Sequence, residues 1–173
     1  KNNCSLNDVA AIAVNNGPGS YTGLRVGLAA AKGICFAADK PLITISSLQI
    51  LASAVKEKAS ALICPIIDAR RMEVFTALYD KQLNIIQKPH AMIIDENSFD
   101  TVLANKEILF CGNAVGKVQP VIASPNAQYI NTKTEIEEMA VISAEMFRQS
   151  LFADLAYAEP FYVKDFYSPS AKK

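Results

Sequence analysis

The first residues whose types and spacing could do chemistry form a glycine-rich segment, Gly17–Gly27, which follows a short apolar run. Gly17, Gly19 and Gly23 stand between a predicted strand and a predicted helix, where backbone N–H groups can come close to a phosphate. The spacing matches neither the GxGxxG dinucleotide fingerprint nor the Walker A loop. A tight turn with close helix packing is therefore the alternative interpretation. The candidate phosphate loop consists of Gly17, Gly19, Ser20 and Thr22.

A second group of charged residues lies at the turn of a predicted hairpin, and it consists of Asp68, Arg70, Arg71 and Glu73. Carboxylates and guanidinium groups at one turn could form an acid/base site or an anion site. Charges at a hairpin tip are more often solvated and contribute little. We interpret this group as structural hairpin charges that support the fold or a partner contact.

The histidine and cysteine counts limit the chemistry available to this chain. His90 is the only histidine, and it follows Pro89 in a predicted loop. An HExxH metal site within the chain is therefore excluded, as is any Ser-His-Asp triad without His90. The four cysteines form no CxxC pair, which is typical of reduced thiols that act as small hydrophobes. No catalytic residue and no metal ligand is assigned. The cysteines are Cys4, Cys35, Cys64 and Cys111.

Composition indicates a well-buried globular protein. The chain has 173 residues, of which 51% are hydrophobic and 20% charged, and this length suits one large domain or two small lobes. The chain has 17 basic residues (Lys and Arg) and 17 acidic residues (Asp and Glu). It therefore lacks the broad positive electrostatic field that non-specific nucleic-acid binding needs. Any RNA contact must be local or supplied by a partner. With no apolar run of about 18 residues and a polar first segment, we predict a cytoplasmic protein without a membrane partner.

The elements that must position these groups follow from periodicity and turn signals. The predicted strands are Val9–Val14, Leu42–Ile45, Ala61–Ile67, Glu73–Tyr79, Leu83–Gln87 and Ile108–Cys111. The predicted helices are Thr22–Ala38, capped by Ser20 or Thr22, then a helix from Ser46 to about Glu57, and Glu96–Asn105 and Thr134–Phe152. The strands around Asp68–Met72 are predicted to form an antiparallel hairpin.

The helix after the glycine-rich segment has an unusual face. Gly23, Gly27 and Ala31 are four residues apart and so lie on one stripe. Glycine inside a helix costs about 1 kcal/mol relative to alanine, which suggests that another backbone comes close to this stripe. That neighbour is either the protein's own sheet or a second subunit, and the sequence leaves both open.

Four segments in this order resemble the TsaB (YeaZ) family of bacterial tRNA-modification proteins: Gly17–Ile34, Pro41 with Ser46–Leu48, Ile67–Tyr79 and Ala158–Asp165. The resemblance implies an α/β, two-lobed, actin-like fold of the sugar-kinase type. Residues 1–58 would be the remainder of the first lobe, and residues 59–173 the second lobe with a C-terminal tail. The family has a further segment before the position that matches Lys1, so the first lobe is expected to be incomplete.

The resemblance also implies a function. TsaB-type proteins are non-catalytic scaffolds that bind the catalytic subunit TsaD for threonylcarbamoylation of adenosine in tRNAs that read codons beginning with A. A TsaE-type ATPase joins the assembly, a homodimer is expected without the partner, and tRNA binds only through the complex. ATP and Mg²⁺ are expected only in the complex. The implied partner-binding residues are Gly23, Arg25, Gly27, Ala29, Ala31 and Lys32.

The alternative is an enzyme, an actin-like ATP-binding phosphotransferase with its own activity. Its phosphates would lie near Gly17–Gly23, and it would need an acidic metal ligand beside that loop. The candidates for that ligand are Asp8 and Asp68.

Overall fold

Two sheets organise the chain. A computed structural model describes residues 5–134 and 136–164. The strands are β1 (Ile12–Gly17), β2 (Leu42–Ser46), β3 (Leu62–Asp68), β4 (Glu73–Asp80), β5 (Ile85–Ile93), β6 (Ile108–Cys111) and β7 (Ala127–Ile130). The helices are α1 (Tyr21–Ala38), α2 (Ser47–Ser53), α3 (Asp100–Leu103), α4 (Val115–Val118) and α5 (Ile136–Arg148).

The first sheet is a parallel pair, β1 and β2, that lies between two helices. Side chains alternate between the faces of a strand, so Leu42 packs with Leu28 and Cys35 of α1. On the other face Ile43 packs with Ile142 of α5. This sandwich fixes the direction of α1, which starts immediately after the glycine-rich turn.

The second sheet has five strands in the order β5-β4-β3-β6-β7. β3 pairs antiparallel with β4 and parallel with β6. The hairpin turn after β3 and the carboxyl end of β6 therefore lie at the same end of the sheet. One face is covered by α3, α4 and the segment around Ile94 and Phe99. The other face is covered by Leu48 and Leu51 of α2, which therefore connects the two sheets.

The C-terminal part of the chain returns to the first sheet. Helix α5 packs on β1, β2 and α2, and Ala153 then forms a bridge to Leu42 at the edge of β2. We call residues 153–164 the C-terminal strap. The predicted division assigned residues 59–173 to the second lobe. Because α5 and the strap pack on the first sheet, we propose that this return belongs to the first lobe and that the second begins near residue 59.

The strand–turn–helix unit, the short second strand and the hairpin are confirmed, with boundaries shifted by a few residues. The predicted loop at His90 is wrong, because β5 extends through Pro89 and His90. Proline is tolerated there since β5 is an edge strand and its missing N–H breaks no central ladder. The third and fourth predicted helices are shorter than expected. Helix α4 and strand β7 were not predicted.

Three of the four cysteines lie in the described residues and are free and buried. Burial raises the pKa of the Cys64 thiol to about 12, so this thiol stays protonated and packs as a small hydrophobe. The interpretation of the cysteines as core residues is confirmed for Cys35, Cys64 and Cys111, and Cys4 lies outside the described residues. No helix in the described ranges is long and apolar enough to cross a bilayer.

Candidate functional site

The glycine-rich turn begins with a glycine that admits no side chain. Gly17 has φ +114°, and a Cβ there would lie 2.8 Å from the carbonyl oxygen of Phe161. The strap is held at this point because the Phe161 N–H donates to the Asn16 carbonyl at 2.7 Å. Glycine is therefore required at position 17 because the chain's own backbone at Phe161 approaches it closely.

The rest of the candidate phosphate loop starts α1 and faces a cleft. The Ser20 hydroxyl accepts the Gly23 N–H at 3.3 Å, which confirms Ser20 as the cap of α1, whereas Thr22 is exposed in the first turn. A Cβ on Gly19 would meet no atom of the described residues within 4 Å. The cleft has a volume of about 530 Å³, and its described lining combines hydroxyls and amides with the cation of Lys133.

Neither acidic candidate of the phosphotransferase hypothesis lines this cleft. Asp8 accepts hydrogen bonds from the backbone and hydroxyl of Ser5. Asp68 lies at the hairpin and binds Lys117. Among the described residues, no group of three His, Cys, Asp or Glu side chains is placed to hold a metal ion. The cleft can hold an anion through N–H and O–H donors, but its described lining contains no carboxylate.

The outward face of α1 is apolar and built from small residues. Val26 is 65% exposed, Ile34 41% and Phe36 83%. At 3.6 residues per turn, the remaining exposed positions beside these apolar side chains are glycines and alanines: Gly23, Ala29, Ala30, Gly33 and Ala37. We call the exposed residues of α1 named in this paragraph the α1 outer face. It carries no charged side chain.

The described fold does not require glycine at two positions of this helix. A Cβ on Gly27 would lie 3.8 Å from Val14 Cγ2, an ordinary contact, and one on Gly33 would meet no described atom within 4 Å. Of the predicted partner-binding residues, Gly23 and Ala29 are exposed and Gly27 is half-buried. Ala31 is 6% exposed and packs in the core, so we leave it out of the partner surface.

Arg25 and Lys32, also predicted to bind a partner, are engaged by the C-terminal strap. The Arg25 Nε donates to the Tyr162 hydroxyl at 2.9 Å, a bond that raises the pKa of the guanidinium. The same guanidinium lies 4.4 Å from the centre of the Tyr21 ring. The Lys32 Nζ donates to the carbonyls of two strap residues, Ala156 and Ala158, at 3.1 Å each. Both cations therefore fasten the strap along one flank of α1.

The charges at the hairpin turn are organised by a residue that the sequence analysis missed. The Lys117 Nζ donates to Asp68 Oδ1 at 2.6 Å and to the carbonyls of Arg71 and Glu73 at 2.9 and 2.6 Å. With Lys117 and the Arg70 N–H as donors, the pKa of Asp68 is lowered. Lys117 lies just after β6, whose carboxyl end adjoins that of β3. The feature that could have revealed the role of Lys117 is the parallel pairing of β3 and β6.

Replacing Lys117 with alanine is expected to lower the free energy of unfolding by about 1.5–3 kcal/mol, because hydrogen bonds from a charged donor are lost. The side chain is only 20% exposed, so water replaces these bonds poorly. Lys106 is exposed before β6, at the opposite end of this sheet, and Lys106→Ala is the control, with an expected change below about 0.5 kcal/mol. Urea denaturation measures both, and equal stabilities would contradict the role given to Lys117.

Comparisons with known proteins agree with this architecture. The family model described as TsaD, tRNA N6-adenosine threonylcarbamoyltransferase, matches residues 1–166. The chain is 38% identical to TsaB of Bacillus subtilis over 98 residues, covering 56% of this chain and 41% of that protein. It is 28% identical to TsaB of Escherichia coli over 172 residues, covering 93% of this chain and 73% of that protein. The curated name of both relatives is tRNA threonylcarbamoyladenosine biosynthesis protein.

Two solved structures from Pseudomonas aeruginosa share the fold. One, titled an uncharacterized protein with similarity to peptidase YEAZ, superposes with a TM-score of 0.80 at 23% identity, covering 92% of this chain and 76% of that one. The other, titled YeaZ, has a TM-score of 0.74 at 22% identity and covers 91% and 76%. The two-lobed, actin-like α/β fold expected from the sequence is therefore confirmed. The chain belongs to the TsaD family of threonylcarbamoyladenosine proteins and, within it, to the TsaB (YeaZ) group.

Proposed function

We propose that this chain is a non-catalytic subunit in the biosynthesis of tRNA threonylcarbamoyladenosine, and that its α1 outer face binds a TsaD-type catalytic subunit. The observation that supports this most is an exposed helix face made of apolar and small residues without charge. The curated relatives carry the name of the pathway. Since the first of them is matched over 41% of its length, activity and partners are proposals for this chain.

The composition of the α1 outer face fits an interface with another helix. Continuous apolar patches on a protein surface commonly mark interaction sites, and small residues allow two helices to approach closely. Gly23 and Gly33 of this face together cost the helix about 2 kcal/mol relative to alanine. Nothing in the described part of the chain fills the space at Gly33, so a close-packed partner helix would give these glycines a function.

Other exposed apolar side chains offer a less continuous surface. On α5, Ile136, Val141 and Phe147 are exposed, but charged residues share the outer surface of the helix, namely Glu137, Glu145 and Arg148. On β5, exposed isoleucines alternate with polar residues along an edge strand. In the described residues, α1 carries the longest run of exposed small and apolar side chains, about four turns from Gly23 to Ala37, while Arg25 and Lys32 bind the strap on its flank, which is why we assign the partner to it.

The assignment as a non-catalytic subunit rests on the cleft beside the candidate phosphate loop. Its described lining contains hydroxyls, amides and one lysine, with neither a carboxylate nor a histidine, so it offers no pair of groups for acid/base work. In this proposal the chemistry, ATP and Mg²⁺ belong to the assembled complex. A TsaE-type ATPase joins that complex, tRNA is modified only by it, and the same α1 outer face supports a homodimer when the partner is absent.

Reconstitution tests the proposal. The full-length protein alone should neither modify tRNA nor hydrolyse ATP, whereas adding it to the TsaD-type subunit, a TsaE-type ATPase and the threonylcarbamoyl donor should yield modified tRNA. The control omits only the full-length protein and should yield little product. An Mg²⁺-dependent ATP turnover by the protein alone near 1 per second, the low end of ordinary enzymes, would favour the phosphotransferase alternative.

A further inference from the structure

The turn that connects β3 and β4 holds two consecutive arginines in an unfavourable backbone conformation. Arg70 has φ +72° and Arg71 φ +48°, the left-handed region in which a Cβ is strained. Tight hairpins with this geometry favour Asn-Gly, because those residues tolerate it best. Arginines therefore occupy this turn against local preference, and such strain is concentrated at functional sites.

The neighbouring carboxylates are paired with lysines, and in the described ranges the arginines have no ion-pair partner. Asp68 is paired with Lys117 at 2.6 Å, and Glu73 is paired with Lys164 at 2.8 Å. Neither arginine side chain forms an ion pair or hydrogen bond within residues 5–134 and 136–164. Both arginines are exposed, and no described residue of the chain pairs with their charge.

The turn is also rigid and concave. Two hydrogen bonds from Lys117 hold the backbone carbonyls of Arg71 and Glu73, and a third holds the Asp68 carboxylate. These contacts restrain the turn before a ligand binds, which limits the conformational freedom lost on binding. Both arginines, Lys164 and Glu73 line a depression with a volume of about 590 Å³. A planar guanidinium donates two parallel hydrogen bonds to a phosphate, which a lysine does not. This arrangement is suited to phosphate oxygens.

The position of the turn relates it to the proposed interface. Tyr162 of the strap binds Arg25 in the second turn of α1, and Lys164, two residues later, binds Glu73 beside the arginines. The strap therefore links the second turn of α1 to the arginine turn through one side-chain contact at each end. A ligand bound at the turn would lie close to the end of the strap that contacts Glu73.

We infer that the Arg70–Arg71 turn binds backbone phosphates of the tRNA when the chain is assembled with its catalytic partner. This inference rests on the proposed function. The balanced charge of the chain requires that an RNA contact be local, and this turn supplies such a contact. The site positions RNA and reads no base, because phosphates carry no sequence information.

The test measures tRNA binding by the complex of the full-length protein and the TsaD-type subunit over a range of KCl concentrations. The variant is Arg70→Gln/Arg71→Gln, which removes both charges and leaves the Cβ atoms and the backbone requirement unchanged. Losing two phosphate contacts should reduce the slope of log affinity against log salt by about 1.4–1.8 and weaken binding at least about tenfold at 0.1 M salt. The control is Lys81→Gln/Lys106→Gln, which removes two exposed cations at the opposite end of the sheet. This control should leave the slope of log affinity against log salt unchanged.

A charge-preserving variant, Arg70→Lys/Arg71→Lys, should restore the slope but not the full affinity, because bidentate contacts are lost. Affinity for the TsaD-type subunit is measured on the same samples. If the glutamine variant keeps the wild-type slope, or if it loses affinity for the protein partner instead of tRNA, the inference is overturned, and the second result assigns the arginines to carboxylates of the partner. If the wild-type protein does not bind the partner, the proposed function fails and the inference fails with it.

Discussion

Replacing Gly33 with leucine is expected to weaken binding of the TsaD-type subunit by one to two orders of magnitude while raising the melting temperature of the protein. A Cβ at Gly33 meets no atom of the described chain, so leucine removes a glycine penalty of about 1 kcal/mol, worth roughly 2–4 °C. In a close-packed interface the same leucine side chain weakens the binding free energy by about 1–3 kcal/mol through overpacking. Each 1.4 kcal/mol corresponds to about a tenfold loss of affinity.

A loss of affinity together with a gain in melting temperature distinguishes the two possible neighbours of this helix, which are a partner subunit and the protein's own polypeptide. Gly116 in α4 is also exposed, and a Cβ there would meet no described atom within 4 Å. Gly116→Leu is therefore the matched control and should leave the affinity for the partner unchanged. Calorimetric titration and thermal melting on the same full-length samples give both quantities. Normal affinity together with a lower melting temperature for Gly33→Leu would mean that the protein's own polypeptide covers the α1 outer face.

Replacing Gly17 with alanine is expected to destabilise the protein by about 2–3 kcal/mol, since φ +114° strains any L side chain and the new Cβ would lie 2.8 Å from the Phe161 carbonyl oxygen. The backbone of the strap would have to move away from β1, and its hydrogen bond to Asn16 would be lost. Urea denaturation measures the loss. Limited proteolysis of the strap provides a second readout and should become faster.

The same loop contains the control for this prediction. Gly19 has open space where a Cβ would be placed, so Gly19→Ala should change the free energy of unfolding by less than about 1 kcal/mol. If Gly17→Ala were as stable as Gly19→Ala, the close approach of the strap would not be what requires glycine at position 17.

The fold was predictable wherever local patterns decided it. The apolar run before Gly17, the glycines and the cap at Ser20 are sequential neighbours, and their predicted strand–turn–helix structure is confirmed. The hairpin at Asp68 was predictable for the same reason. Pro89 misled the prediction of β5, because the edge position that tolerates proline depends on the order of the strands.

The candidate site was predictable in part. The glycines of α1 indicated a close neighbour, but one flank of the helix is covered by the strap, which is more than 120 residues away in sequence. Arg25 and Lys32 bind this distant segment, so no local pattern could show that they are engaged within the chain. Lys117 was missed because its contacts with the hairpin depend on the parallel pairing of β3 and β6, a non-local arrangement without a local signal.

The most direct test of the central claim is amide hydrogen exchange of the full-length protein with and without the TsaD-type subunit. Binding through the α1 outer face predicts slower exchange in peptides from Tyr21–Ala38, while peptides from β5 and α5, which carry further exposed apolar side chains, exchange as before. Absence of a complex, or protection of β5 or α5 with unchanged exchange in α1, would contradict the account.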